Sequence, residues 1–180
     1  MMVDIEDLSA PDVDSIILQI GAVIFSESSH EDYWRSVSFR LSARDQLLRS
    51  VDLETMMFWL GQPSFSTLLS GEIELDTALQ GLADFYKVAQ RLNDDALVWA
   101  WGSDYDIPKL ANAFRSKEIE VPWRLDRVRC ARTVCKMAGV KRGENEAPHD
   151  AFADCIVQAR AVVAASEKIA AGTAALRRAI

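Results

Sequence analysis

The segment Ser15–Phe25 (SIILQIGAVIF) constrains this chain more than any other. It is an almost unbroken apolar run rich in β-branched residues, and it is too short to span a bilayer. Such a run is stable as a strand covered on both faces, which requires a layered fold with helices above and below a sheet. The flanking segments fit that demand. Met2–Glu6 reads as a short first strand, Asp7–Asp14 with Pro11 as a turn, and the alternating Tyr33–Leu41 as a third strand that completes a meander.

Helical periodicity then takes over. Asp52 opens a short helix that continues through Trp59–Leu60 and stops at Gly61 and Pro63. Leu75, Leu79, Leu82, Phe85 and Tyr86 mark an amphipathic helix over 74–91. Ala96–Trp101 is a compact strand broken by Gly102, and Asp106–Arg115 reads as a helix. Leu125–Ala138 begins extended and continues helical to Gly139. A polar loop, Lys141–Ala147, precedes a long helix over His149–Ala170, and the Ala-rich tail from Gly172 is expected to fray or form a separate short helix. The order βββ, α, α, β, α, (β)α, α predicts an α/β fold with a mixed central sheet, within one domain spanning 1–180.

The 180 residues carry a net charge of −7 with 49% apolar and 26% charged residues, so the strongly basic footprint of a nonspecific nucleic-acid binder is absent. Bound cations would reverse the local field at an acidic site. Cys130, Cys135 and Cys155 are too few and too irregularly spaced for a disulfide framework or a zinc site, which suits a reducing cytoplasm. Acidic Asp4, Glu6 and Asp7 stand where a secretory signal would carry cations, so no targeting segment is expected.

Three short motifs carry chemistry. In Asp4-Ile5-Glu6, residues two apart on a strand share a face, so the two carboxylates project together while Ile5 enters the core. Like charges that close are costly without a cation between them. In the stretch Trp99–Leu110, a strand, a glycine and then an acid at a helix start place a side chain at the carboxyl edge of the sheet. Asp104 reads there as a turn or cap residue; Asp106 is preferred for the site, with helix capping as its alternative. In Pro148–Asp154, His149 and Asp154 lie five apart, about 140° around an ideal helix, so they converge only if His149 sits in the preceding loop. Otherwise His149 is a surface loop histidine, as His30 is taken to be.

The order D-x-E, aromatic-D-x-x-x-L, H-x-x-x-x-D resembles the DEDDh 3′–5′ exonucleases, which have the RNase H-like fold, and within them the branch similar to phage exonuclease A. Thr55-Met-Met-Phe-Trp59-Leu-Gly-Gln62 is similar to that branch's T-x-x-W-W-x-x-Q element. Ala100-Trp101-Gly102, Pro122-Trp123 and Arg132-Thr133 add further likeness, over about residues 3–163. The resemblance implies hydrolysis of terminal phosphodiester bonds at 3′ ends of single-stranded nucleic acid, RNA or DNA. It implies Asp4, Glu6, Asp106 and Asp154 as ligands of two Mg²⁺ or Mn²⁺ ions and His149 as general base. Asp7, Leu8, Trp59 and Tyr105 become candidate substrate contacts, and Arg129, Arg132, Lys141 and Arg142 candidate phosphate contacts. A homodimer is compatible with it. The competing readings are an RNase H-like endonuclease and a catalytically inactive nucleotide-binding domain. The chain departs from the pattern at Asp7, where the family usually has Thr, and at Phe58, which replaces the first Trp of the pair.

Overall fold

A computed structural model describes residues 1–26 and 35–179, with side chains to residue 173. Strands β1 (Met2–Asp7), β2 (Ile17–Ile24), β3 (Arg35–Arg40), β4 (Val98–Ala100) and β5 (Val128–Cys130) form one sheet in the order β3-β2-β1-β4-β5. The β1–β2 and β2–β3 pairs are antiparallel, whereas β1–β4 and β4–β5 are parallel. This is the mixed sheet the sequence predicts, with the leading meander at one side. Of the expected third strand Tyr33–Leu41, residues Arg35–Arg40 form β3; Tyr33 and Trp34, like His30, lie outside the described residues.

Among the described residues, six α-helices complete the fold: α1 (Leu53–Leu60), α2 (Phe65–Leu69), α3 (Leu75–Leu92), α4 (Asp106–Ser116), α5 (Ala131–Ala138) and α6 (Ala151–Ala179). Asp52 caps α1, its carboxylate accepting from the Thr55 N–H at 2.8 Å, and Gly139 closes α5 in the left-handed conformation at φ 63°. The segment Leu125–Ala138, expected to begin extended, opens instead with a 3-10 turn at Leu125–Arg127 before strand β5. Helix α2 is too short to show a helical period in sequence. The backbone of α6 runs unbroken through Gly172 to Ala179, where fraying or a separate helix was expected. Its first residue is Ala151, so His149 and Asp150 precede it.

Strand alternation divides the apolar residues between the two faces of the sheet. Val3 and Ile5 of β1, with Ile20, Ala22 and Ile24 of β2, pack with Leu75, Leu79, Leu82, Leu110 and Phe114 from α3 and α4. Met2 and Val23 pack on the other face with Cys135, Cys155, Ala159 and Val162 from α5 and α6. A third cluster, Leu8, Ile16, Leu18, Trp59, Phe65 and Leu68, seats α1 and α2 beside the end of β1.

Gly21 sets how closely α6 approaches. A Cβ at this position would lie 2.4 Å from the Ala151 carbonyl carbon and oxygen and 2.6 Å from the Phe152 nitrogen. Those are backbone atoms and cannot turn aside. Gly21→Ala is therefore expected to force the start of α6 off the sheet and cost about 3 kcal/mol, a drop of roughly 6–12 °C in Tm. Thermal melts followed by circular dichroism would check it, an unchanged Tm counting against the close approach.

Candidate active site

The register of β1 on β2 pairs Asp4 with Gly21 and Glu6 with Gln19. Asp4 and Glu6 thus stand on the face that α6 covers, beside the residue that lets α6 come close. Gln19, 1% exposed, accepts from the Ala151 N–H at 3.1 Å and donates to Asp150 at 3.2 Å. It ties the first turn of α6 to the sheet. Asp150 caps the helix, its carboxylate accepting from the Ala153 N–H at 3.0 Å. Asp154 follows inside the first turn. One oxygen each from Asp4, Glu6 and Asp154 lie within 4.8 Å of one another, a geometry that can hold a metal ion.

Asp106 approaches from the other side as the first residue of α4. It is 5% exposed, whereas Asp104 is exposed, so the two acids left open by the sequence are separated by burial. Asp106 is outside the group of three that share a 4.8 Å sphere, yet its charge reaches both Asp4 and Glu6. His149 occupies the left-handed region at φ 62°, uncommon for a non-glycine residue. Its ring meets Phe58 edge-on at 5.0 Å and Trp59 at 5.9 Å. Phe58 and Trp59 in turn line a cleft of about 740 Å³ with Glu6, Asp7, Thr55 and Tyr105. Glu6 thus connects the acid group to the cleft, and the His149 ring packs against Phe58 and Trp59, two of its aromatic lining residues.

The substrate candidates divide. Tyr105 is 38% exposed and lines the cleft. Trp59, expected as a stacking surface, is 2% exposed; its indole N–H donates to the Asp7 carbonyl at 2.7 Å and its ring stacks on Phe65. The exposed ring is its neighbour Phe58, at 44%. Leu8 is likewise packed in the third apolar cluster, so its side chain offers nothing to a ligand. Asp7 has the strand parity of Val3 and Ile5 and points toward α4, where it pairs with Lys109 at 2.8 Å. Among the cationic candidates, Arg142 reaches Asp154 at 3.3 Å, whereas Arg129 donates to the Asp126 and Val128 carbonyls.

Sequence reasoning missed several supporting residues. Gln158 donates to Asp4 at 2.8 Å and Asn145 to Asp154 at 3.0 Å. The signals were present but weak: Gln19 is the polar residue within the apolar β2 run, and Gln158 stands one helical turn beyond Asp154.

Withdrawal from water dominates the electrostatics. Burial, then the Asp154, Asp7 and Asp106 charges, push the Glu6 carboxyl from 4.5 up to about 8. Burial raises Asp106 to about 7 against hydrogen bonds from the backbone that lower it. Burial and the Asp106 and Glu6 charges push Asp4 well up. Oxygen donors that resist ionising together suit a hard divalent cation, which would restore Asp4, Glu6 and Asp106 to their charged form.

The mixed five-stranded sheet with its flanking helices is an α/β, RNase H-like fold. Residues 1–166 match the model of the 3′–5′ exoribonuclease Rv2179c-like domain, and the chain belongs to that family. It is thus a hydrolase, a 3′–5′ exonuclease acting on nucleic acid. Among solved structures it is similar to S. pombe Pop2p in a form bound to Mg²⁺ and Mn²⁺. That likeness has a TM-score of 0.51 at 14% identity, covering 91% of this chain and 81% of that one. No curated protein sequence matches the chain. Among the described residues no helix is long and apolar enough to cross a membrane.

The raised carboxyls fix a sign for pH dependence without metal. Folded Glu6 and Asp106 retain protons that the unfolded chain releases near 4.5 and 3.8. Their contribution to stability is complete below those values and is lost as pH rises through about 7 to 8. In EDTA, Tm should fall from about pH 5 to about pH 8.5, and added Mn²⁺ should recover most at the alkaline end. A Tm that rises across this window in EDTA would contradict the burial of these acids.

Proposed function

We propose that this protein removes nucleotides from the 3′ end of single-stranded RNA by metal-dependent hydrolysis, with the five residues of the DEDDh pattern as its machinery. The observation that carries the reading is the convergence of Asp4, Glu6 and Asp154 within 4.8 Å, with Glu6 also lining the cleft that Phe58 and Tyr105 border. Asp4, Glu6, Asp106 and Asp154 would hold two Mg²⁺ or Mn²⁺ ions, the oxygen-only donor set that such cations favour. Divalent ions held there would supply the charge that acidifies an attacking water and neutralises the phosphate oxygens of the leaving strand.

The chain's own groups do the rest. His149 takes the proton from the attacking water. The edge-on packing of its ring against Phe58 and Trp59 supports this role, and imidazole is the side chain most often used in general acid–base catalysis. The exposed rings of Phe58 and Tyr105 give the terminal base surfaces on which to stack, independent of its identity. Lys141 and Arg142, on the loop before His149, supply positive charge to the phosphate backbone in a chain of net charge −7.

A 5′-labelled single-stranded RNA incubated with the protein and Mn²⁺ should give a ladder retreating from the 3′ end. Internal cuts as the first products would replace the exonuclease reading with an endonuclease. His149→Ala should lower kcat by roughly a hundredfold or more while leaving Mn²⁺ affinity intact, as expected for loss of a general base. Asp4→Ala should abolish both. Wild type no more active than Asp4→Ala would reduce the chain to a binding domain. Phe58→Ala should raise KM more than Trp59→Phe does, since Phe58 is the ring presented to the cleft.

A further inference from the structure

Asp7 adds a fifth acid next to Asp4, Glu6, Asp106 and Asp154, and its charge acts on both Glu6 and Asp106. Left alone it would deepen a cluster in which Asp4, Glu6 and Asp106 already resist ionising together. It is not alone. Its carboxylate meets the Lys109 ammonium at 2.8 Å, with the two side chains 0% and 3% exposed. The Ser9 N–H at 2.9 Å and the Ser15 hydroxyl at 3.0 Å also donate to Asp7. Lys109 donates to the Ser9 carbonyl, and its ammonium lies 3.9 Å from the Tyr105 ring centroid. Both charged groups are thus buried and held by partners within the protein.

A buried ion pair of this kind is weak evidence of stabilisation, since an apolar pair of similar volume is often as stable or more so. Its place suggests another use. Lys109 stands one helical turn after Asp106 on α4, and its charge opposes the raising of the Asp106 carboxyl. Arg142 also meets the cluster, but from an exposed loop residue that is free to leave when a ligand arrives. Lys109 is locked in place.

We propose that Lys109 is the fixed counter-charge of this site: by cancelling Asp7 it keeps the cluster at the four negative charges that two divalent cations neutralise. The inference rests on the reading of Asp4, Glu6, Asp106 and Asp154 as the cation-binding set. Asp7 and Lys109 are then positioning residues that touch neither cation nor substrate.

Isothermal titration of the whole chain with Mn²⁺ at alkaline pH tests it, because the single variants should shift affinity in opposite directions. Lys109→Met leaves a fifth negative charge and should tighten Mn²⁺ binding by about fivefold or more. Asp7→Asn leaves an uncancelled cation and should weaken it by a similar factor. The double variant should return to within about twofold of wild type. A purely structural pair would instead weaken binding in both single variants, and that result, or no shift in either, overturns the proposal. If Lys109→Met does not fold, the weaker binding of Asp7→Asn and its restoration in the double variant decide the matter, and no restoration counts against it. Wild type without measurable Mn²⁺ binding would instead overturn the cation-site reading itself, and this inference with it.

Discussion

The close contact between the start of α6 and β2 at Gly21 is the constraint on which the site depends. A strand can place Asp4 and Glu6 on one face by its period alone. It cannot supply the third acid. Asp154 arrives because a residue without a side chain lets helix backbone rest directly on sheet backbone. Gln19 then satisfies the first helical N–H, and Asp150 satisfies another. The same contact fixes where the helix begins and so leaves His149 outside it. Packing, capping and chemistry are here one set of atoms.

That arrangement works against folding. Carboxyls crowded out of water hold their protons, and each charge that forms raises the next. The large apolar clusters on both faces of the sheet supply the stability against which this is set. Local strain and like-charge crowding concentrate where ligands bind, as with the left-handed backbone of His149.

Much of this was legible in the sequence, for physical reasons that also mark the boundary. The apolar run at 17–24 could only be a covered strand, and Asp4 and Glu6 follow from the period of two. The 140° separation of His149 and Asp154 forced one of them out of the helix, and the structure has α6 start between them. Phe58 and Trp59 were not separable, because adjacent helical residues lie about 100° apart and tertiary packing decides which is buried. Trp59 is claimed by Phe65 and the Asp7 carbonyl. Lys109 was invisible for a similar reason: a lysine on an amphipathic helix ordinarily reads as solvated. The third acid of the loop–helix region needed Gly21, whose role is a contact across 130 residues of chain.

The loop at 141–147 has a consequence of its own. Asn145 and Arg142 both bond the same Asp154 oxygen, at 3.0 and 3.3 Å. A ligand that takes that oxygen must compete with them, so loop and ligand are linked thermodynamically. Whatever draws Arg142 away, such as a phosphate in the cleft, strengthens the hold of Asp154 on its ligand by the same factor by which that ligand frees the arginine. Occupancy of the acids and capture of the strand are thereby two readings of one equilibrium.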